Sequence, residues 1–501
     1  MTDINTSQIL TDNGIDYLLV NSTNKYLVEY PELSENARYT LTGFSGSTGD
    51  ALITKDNIYL FVDGRYHIQA DKEVKEGITV VKLQIGQKQD DEIRNIIAQD
   101  RAESKILGIV SKKVSQARLE GFKNYNVKLL DKDPINDFTE KHSIYTEKAF
   151  EPVKYEADST FVSNLEEVSY LTGLRDFTKN NTSKIWSKLY INGQNRILFK
   201  NDEECDMFLS EFGDRIFVDK ANINAHDFSL IKKPIHRTSE IKTMKSVKSE
   251  AEISAYKKAF ERTDLAVSAI REYIETHDNL SEYDIAKTLE AKFLQFGAKS
   301  LSFNSIVAIN KNSALAHYSK NDKNVILKNG DLVLIDCGAY YESGLATDIT
   351  RVFVKGTPND LQKIIYTLVL KAFLNCYNYK PRPAIGKDID SLAHKLLNEY
   401  SEYGFKFNHG LGHGIGINVH EAPPNLSQNK IAETKIKDGM CFTIEPGLYN
   451  ADHFGIRLEN SCYMKDGRIC SFVKMGYESK LIDFSLLDEQ EQEWLKEFKL
   501  L

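Results

Sequence analysis

In the last third of this sequence, acidic residues recur inside runs that otherwise read as buried strands. Asp336 ends the run DLVLID, Asp348 opens DITRVF, Glu445 interrupts CFTIEP just before Pro446, and Glu459 lies in GIRLEN. A carboxylate in an apolar strand is costly unless it is paired, hydrogen-bonded or bound to metal. Any one of these acids alone reads as a turn or cap residue. Four unrelated acids in four strands would repeat that cost four times, so a shared site is the better reading. Period-two alternation places Arg457 and Glu459 on one face of a single strand, with Ile456 and Leu458 opposite. His413 follows in GLGHGIG, and His420 stands seven positions later. Each alone reads as a loop histidine, and only the surrounding carboxylates bring a ligand role into view.

Asp336, Asp348, Glu445 and Glu459 carry four negative charges, which two divalent cations would cancel, and a neutral His413 adds a nitrogen donor. Such a donor set suits Mn²⁺ or related ions better than thiolate-seeking ones. A pair of such ions suits hydrolysis, since it activates water and offsets developing charge. Other sites fail on spacing. The glycines around His413 do not make G-x-G-x-x-G, because Ile415 stands three past Gly412. His420-Glu421 is followed by Ala422, Pro423 and Pro424, which excludes H-E-x-x-H and its helix. No Walker loop is present.

The chain has 501 residues, 41% hydrophobic and 27% charged, which excludes disorder, collagen-like repeats and small disulfide scaffolds. At about 150 residues per domain this length corresponds to about three domains. Its 64 basic and 72 acidic residues leave a net charge of -8, which argues against nucleic acid or a polybasic membrane anchor as partner. No run approaches the ~18 apolar residues of a spanning helix. The start, MTDINTSQILTDNGIDYLLV, lacks the basic and apolar regions of a signal peptide, so a cytoplasmic location is expected. Cys205, Cys337, Cys376, Cys441, Cys462 and Cys470 form no C-x-x-C pair and read as reduced and mostly buried.

Alternating helical and strand signals give an α/β pattern to the first part, whose densest feature is the segment from Arg38 to Gly49, with three glycines in the seven residues Gly43-Phe44-Ser45-Gly46-Ser47-Thr48-Gly49. Its glycines predict a tight turn with close backbone approach, most simply a structural one. Periodicity fades around 131–160, where a boundary is placed. A second α/β stretch follows, with a hairpin expected to turn at Asn192-Gly193 and Pro234 closing the stretch. Ser249 with Glu252, and Ser281 with Asp284, read as capping boxes opening the helices of a third, larger domain. The expected division is 1–135, 136–240 and 241–501.

Together these segments resemble the pita-bread metallopeptidases, most closely the three-domain Xaa-Pro aminopeptidases (aminopeptidase P). The D-x-G…DITR pair, G-H-G-I-G, T-x-E-P-G-x-Y and G-I-R-x-E are the motifs that carry the resemblance. It implies an α/β (α+β) fold, with two N-terminal creatinase-like α/β domains followed by a C-terminal pita-bread catalytic domain. It further implies that Asp336, Asp348, His413, Glu445 and Glu459 bind two metals, typically Mn²⁺. Asp348 and Glu459 would bridge them, and Glu445 would handle the proton of the attacking water. His317 in ALAHYS and His420 in NVHE match histidines that hold the scissile carbonyl. His409 and Arg457 match active-site neighbours, with Arg457 pairing to a ligand carboxylate. RYTLTGFSGSTGDALIT…YLFVDGRYHIQA looks like the N-terminal domain of the same enzymes and ESKLIDFSLLDEQEQEWLKEF like their ending. By that resemblance Arg38 lies near the far end of the substrate, and the protein forms a homodimer.

Two departures stand out. The middle domain looks shortened, with the expected W-L-L-N-x-R-G-x-D-I strand present only as Val168 to Phe177. The 12 positions from Asp336 to Asp348 are one more than usual, an insertion that a hairpin turn absorbs. The expected reaction is hydrolysis of the bond between an N-terminal residue and proline, whose nitrogen carries no N–H. The rivals are a prolidase confined to Xaa-Pro dipeptides, a catalytically inactive pita-bread binding module, and a metal-free creatine-type hydrolase. The complete ligand set argues against the last two.

Overall fold

A computed structural model describes residues 4–84, 86–99, 104–138, 146–398 and 401–501. Part of the expected boundary region, 139–145, lies outside these. The chain divides into two compact units, one of Met1–Ile144, Val153–Leu171 and Ile185–Ser239, the other of Tyr145–Pro152, Thr172–Lys184 and Glu240–Leu501.

The first unit carries two mixed sheets. One has the order Ile78–Lys82, Ile58–Val62, Ala51–Ile53, Tyr17–Val20, Ile106–Val110, Asn126–Leu130. The other runs Asn195–Leu198, Leu189–Gly193, Ala157–Val162, Ile216–Val218, Pro234–His236. The glycine-rich loop follows the helix Ala37–Thr42, which Gly43 ends at φ +77°. A Cβ on Gly46 would meet the Phe44 ring at 2.3 Å, and one on Gly49, itself at φ +106°, would meet Phe61 O at 2.4 Å. The close approach thus lies within the unit's own core.

Three expectations change here. The hairpin pairs Asn192 with Asn195, so it turns on Gly193-Gln194. Gly193, at φ +59°, supplies the left-handed residue one position later than Asn192-Gly193 implied. Pro234 does not close the stretch: it opens an edge strand, where its missing N–H leaves no ladder bond unmade. Val168 to Thr172 belong to the helix Leu165–Thr172 and only Leu174–Arg175 is strand, because Leu165, Val168 and Leu171 recur at helical spacing and are all buried.

In the second unit an antiparallel sheet has the order Ile306–Ile309, Leu332–Cys337, Ile349–Val354, Glu459–Lys465, Cys441–Ile444, with Arg468–Ser471 also paired to Glu459–Lys465. Leu332 faces Val354 and Leu334 faces Val352 across strands. These four join the core formed with Ile365, Val369 and Phe373 of the helix Asp360–Tyr377 and with Ile389 and Ala393 of Gly386–Asn398. Both expected capping boxes are present, opening Glu250–Thr276 and Glu282–Gln295. Of the six cysteines, all but Cys470 are buried. No helix among the described residues is long and apolar enough to cross a membrane.

Candidate metal centre

Strand register assembles the acids. Asp336 stands opposite Thr350, and Thr350 opposite Glu459, in one row across three strands. Successive side chains alternate faces, so Asp348, two before Thr350, shares that face. Ile444 pairs with Asn460, which places Glu445, just beyond its strand, in line with Glu459. Leu332 and Leu334 precede Asp336 at the same parity, so the acids continue a buried apolar face. The expected single strand through Arg457 and Glu459 is in fact two, Gly455–Arg457 and Glu459–Lys465, parted at Leu458. The first pairs with Gly447–Tyr449, the second with the main sheet, and both side chains still reach Thr350.

His413 enters from Gly412–His413, where its N–H donates to Thr443 Oγ1 at 3.1 Å. Gly412 allows this approach, since a Cβ there would stand 2.1 Å from Thr443 O. His413 Nε2 lies 3.6 Å from Asp348 Oδ2 and 3.5 Å from Glu445 Oε1. These gaps are long for hydrogen bonds but suit donors sharing one ion, because two atoms each about 2.1 Å from a metal stand roughly 3.5 Å apart. Asp348, His413 and Glu459 each offer a ligand atom within 4.8 Å of the others.

The oxygens themselves give a sharper test. Asp336 Oδ2 accepts from Arg457 Nη2 at 2.6 Å, and Glu459 Oε2 from Thr350 Oγ1 at 2.7 Å. Their other oxygens, Asp336 Oδ1 and Glu459 Oε1, together with Asp348 Oδ1, are buried with no hydrogen-bond partner. Buried acceptors are normally satisfied, so three orphaned carboxylate oxygens on one face fit a cation. Burial, then the charges of Glu459, Asp336 and Glu445, pushes the Asp348 carboxyl well above its usual range. Burial and Glu459 do the same to Glu445, and burial with Asp336 pushes Glu459 up to about 8. Bound cations would reverse that penalty.

A polar chain backs Asp336. Arg457 Nη1 donates to Tyr449 Oη at 2.8 Å, and Tyr449 Oη also lies 2.8 Å from His409 Nε2. Tyr449 was not singled out from sequence, although it closes T-x-E-P-G-x-Y. Tyr449→Phe removes an acceptor of Arg457, the partner of Asp336, and should lower turnover about 10-fold, the low end of what loosening the support of a candidate ligand costs, with little change in melting temperature. Unchanged turnover with full metal content would show that the chain does not hold Asp336.

Behind Glu459, the fully buried Arg351 donates to Thr350 O, Glu459 O, Gly476 O, Met475 O and Asn460 Oδ1, and to no carboxylate. Four of these five acceptors are backbone carbonyls, which no side-chain motif marks.

His420 and His413 meet edge to face, ring centroids 4.4 Å apart. His317 is half-buried in the turn after Asn310–Ala314. That turn is tied to Gly455 by Ser313, whose Oγ donates to Gly455 O at 3.0 Å and accepts from Gly455 N at 2.8 Å. Arg38 belongs to the first unit. It is fully buried there, lies over the Phe44 ring and donates to Gly46 O, so it holds the glycine-rich loop. A second cluster in that unit, Asp206, His226 and Asp227, is already engaged: His226 Nε2 lies 3.2 Å from Asp206 Oδ2, and Lys188 Nζ pairs with Asp227.

This centre, in a mixed α/β unit, belongs to the class of metal-dependent peptidases. More narrowly, residues 254–466 match metallopeptidase family M24 and form its pita-bread domain, and residues 5–137 match the creatinase/prolidase N-terminal domain. Xaa-Pro aminopeptidase 1 of Dictyostelium discoideum is 26% identical over 570 residues, covering 98% of this chain and 90% of that protein. An Xaa-Pro dipeptidase of Pyrococcus horikoshii is 40% identical over 221 residues, covering 44% of this chain and 60% of its own length. The fold also matches a solved X-prolyl aminopeptidase from Caenorhabditis elegans, described as a cytosolic enzyme with a di-nuclear active site. TM-score is 0.84 and identity 21%, with 96% of this chain and 90% of that one covered.

Proposed function

We propose that this chain is an Xaa-Pro aminopeptidase, releasing the N-terminal residue from peptides with proline second. The observation that carries the reading is coverage: relatives named aminopeptidases align with nearly the whole chain, those named dipeptidases with less than half of it. Asp336, Asp348, His413, Glu445 and Glu459 would hold two divalent ions, for which Mn²⁺ is our assignment from the hard, carboxylate-rich donors. When bound, such a pair supplies a nucleophile at neutral pH and charge stabilisation. Glu445, whose Oε1 lies 3.5 Å from His413 Nε2, takes the proton of the attacking water. His420 and His317 hold the scissile carbonyl oxygen as charge develops on it. Arg457 Nη2, donating to Asp336 Oδ2 at 2.6 Å, orients that carboxylate. The bond to proline offers no N–H, so selection rests on pocket shape. A homodimer, a cytoplasmic location and the division 1–135, 136–240 and 241–501 complete the proposal. The three parts are supported by one main sheet falling in each.

The test is cleavage of an Xaa-Pro-Yaa tripeptide beside an Xaa-Pro dipeptide, with chelator-stripped protein before and after Mn²⁺ is restored. Mn²⁺-dependent release of the first residue from the tripeptide is expected. Turnover confined to the dipeptide would make the protein a prolidase. Turnover of neither, with two metals tightly bound, would overturn the substrate assignment and leave the centre standing.

A further inference from the structure

The loop from His413 to His420 folds back on a buried charge. Glu421, which directly follows His420, is 3% exposed. Its Oε1 accepts from Lys248 Nζ at 2.7 Å, and its Oε2 lies 3.0 Å from Lys245 Nζ. Oε2 also accepts from Ile417 N at 2.9 Å, inside the loop. The Glu421 N–H donates to Gly414 O at 2.7 Å, so main chain and side chain of one residue clasp the segment between the two histidines. The fit leaves no space for another side chain: a Cβ on Gly416 would stand 2.1 Å from the Glu421 carboxyl carbon. Asn418 Nδ2 donates to His420 O at 3.1 Å, and Asn418 Oδ1 accepts from Lys184 Nζ at 2.9 Å.

The two lysines come from the start of Glu240–Leu501, the longest segment of the second unit, far away in sequence. Lys245 lies in the last turn of the helix Ile241–Ser246, and Lys248 stands just before Glu250–Thr276. Lys248 N donates to Gly439 O at 2.9 Å, and Val247 bridges to Met440, which leads into the strand Cys441–Ile444 before Glu445. Lys248 Nζ also donates to Lys245 O. One anion between two cations, all nearly out of water, costs desolvation energy that a plain loop would not incur. Conformational definition is a use that such buried charges serve, and here what is defined is a loop with a centre histidine at each end.

We propose that Glu421, clamped by Lys245 and Lys248, is a positioning residue that fixes His413 toward the carboxylates and His420 toward the substrate. The inference rests on the function proposed above for its catalytic consequence, though not for its effect on the metal. The variants are Glu421→Gln and Lys248→Met, the second leaving Glu421 paired to Lys245 so that the protein folds. Melting temperature, Mn²⁺ affinity of the chelator-stripped protein by calorimetry, the visible spectrum of Co²⁺-loaded protein, and kcat and KM on the tripeptide are measured together.

Both variants should melt lower, bind Mn²⁺ at least 10-fold more weakly and shift the Co²⁺ bands, with kcat down about 10-fold and KM within twofold of wild type. If Glu421→Gln does not fold, Lys248→Met alone decides. A lower melting temperature with wild-type Mn²⁺ affinity, Co²⁺ spectrum and kcat would reduce the triad to a stability element and overturn the proposal. Wild-type protein inactive on the tripeptide would refute the function, while the Mn²⁺ and Co²⁺ readings would still judge the positioning role.

Discussion

Asp348→Asn should abolish metal retention and peptide hydrolysis together. Asp348 offers one oxygen toward His413 and a second, buried oxygen that has no hydrogen-bond partner among the described residues. An amide keeps the shape, halves the acceptors and turns an N–H₂ toward the cations. Metal content after dialysis should fall, and tripeptide turnover should drop by more than the roughly 100-fold that losing an outer partner can cost. The metal-free variant should melt above metal-free wild type, because it no longer buries a carboxyl that burial and neighbouring acids hold well above its usual range. Metal analysis, turnover and melting curves on both proteins check this. Full activity in Asp348→Asn would remove Asp348 from the centre.

Metal removal should make stability depend on pH in a direction opposite to that of ordinary surface acids. Glu459 has its carboxyl raised from 4.5 to about 8 in the folded, metal-free protein, with Asp348 and Glu445 raised as well. Between those values the folded chain holds protons that the unfolded chain releases, so stability falls as pH rises through the window. Bound cations make the charged form the favoured one and cancel that loss. The gain in melting temperature on adding Mn²⁺ should therefore be small at pH 5 and grow toward pH 8. At about 1,000 times the dissociation constant a ligand adds about 4 kcal/mol, on the order of 10 °C for a unit of this size. A gain that stays flat across the window would show that these acids do not share a cation. Using the difference between loaded and stripped protein removes groups common to both, such as Asp264, whose carboxyl burial raises to about 6.

The acids were legible because each contradicts its own strand, and a contradiction repeated in neighbouring strands has few physical resolutions. What was not legible depended on how strands end. Gly-Ile-Arg-Leu-Glu alternates as one strand should, and only the pairing of Gly455–Arg457 with Gly447–Tyr449 reveals the break at Leu458. Val168 to Phe177 was read through a motif rather than its own spacing, and the buried Leu165, Val168 and Leu171 make most of it helix. Thr350 and Tyr449 escaped notice because both are ordinary strand residues, and their roles appear only once Arg457 and Glu459 flank them. Glu421 was visible only as half of a failed H-E-x-x-H. Its lysines lie more than 170 positions earlier, beyond the reach of local pattern.

Arg351 bears on how the protein is made. The ribosome delivers Asp336, Asp348, His413, Glu445 and Glu459 before it delivers Met475 and Gly476, whose carbonyls complete the acceptor set of Arg351. Until then a guanidinium destined for full burial lacks two of its five acceptors. A chain emerging from the ribosome therefore carries all five of these side chains before the buried guanidinium behind them has its full set of acceptors.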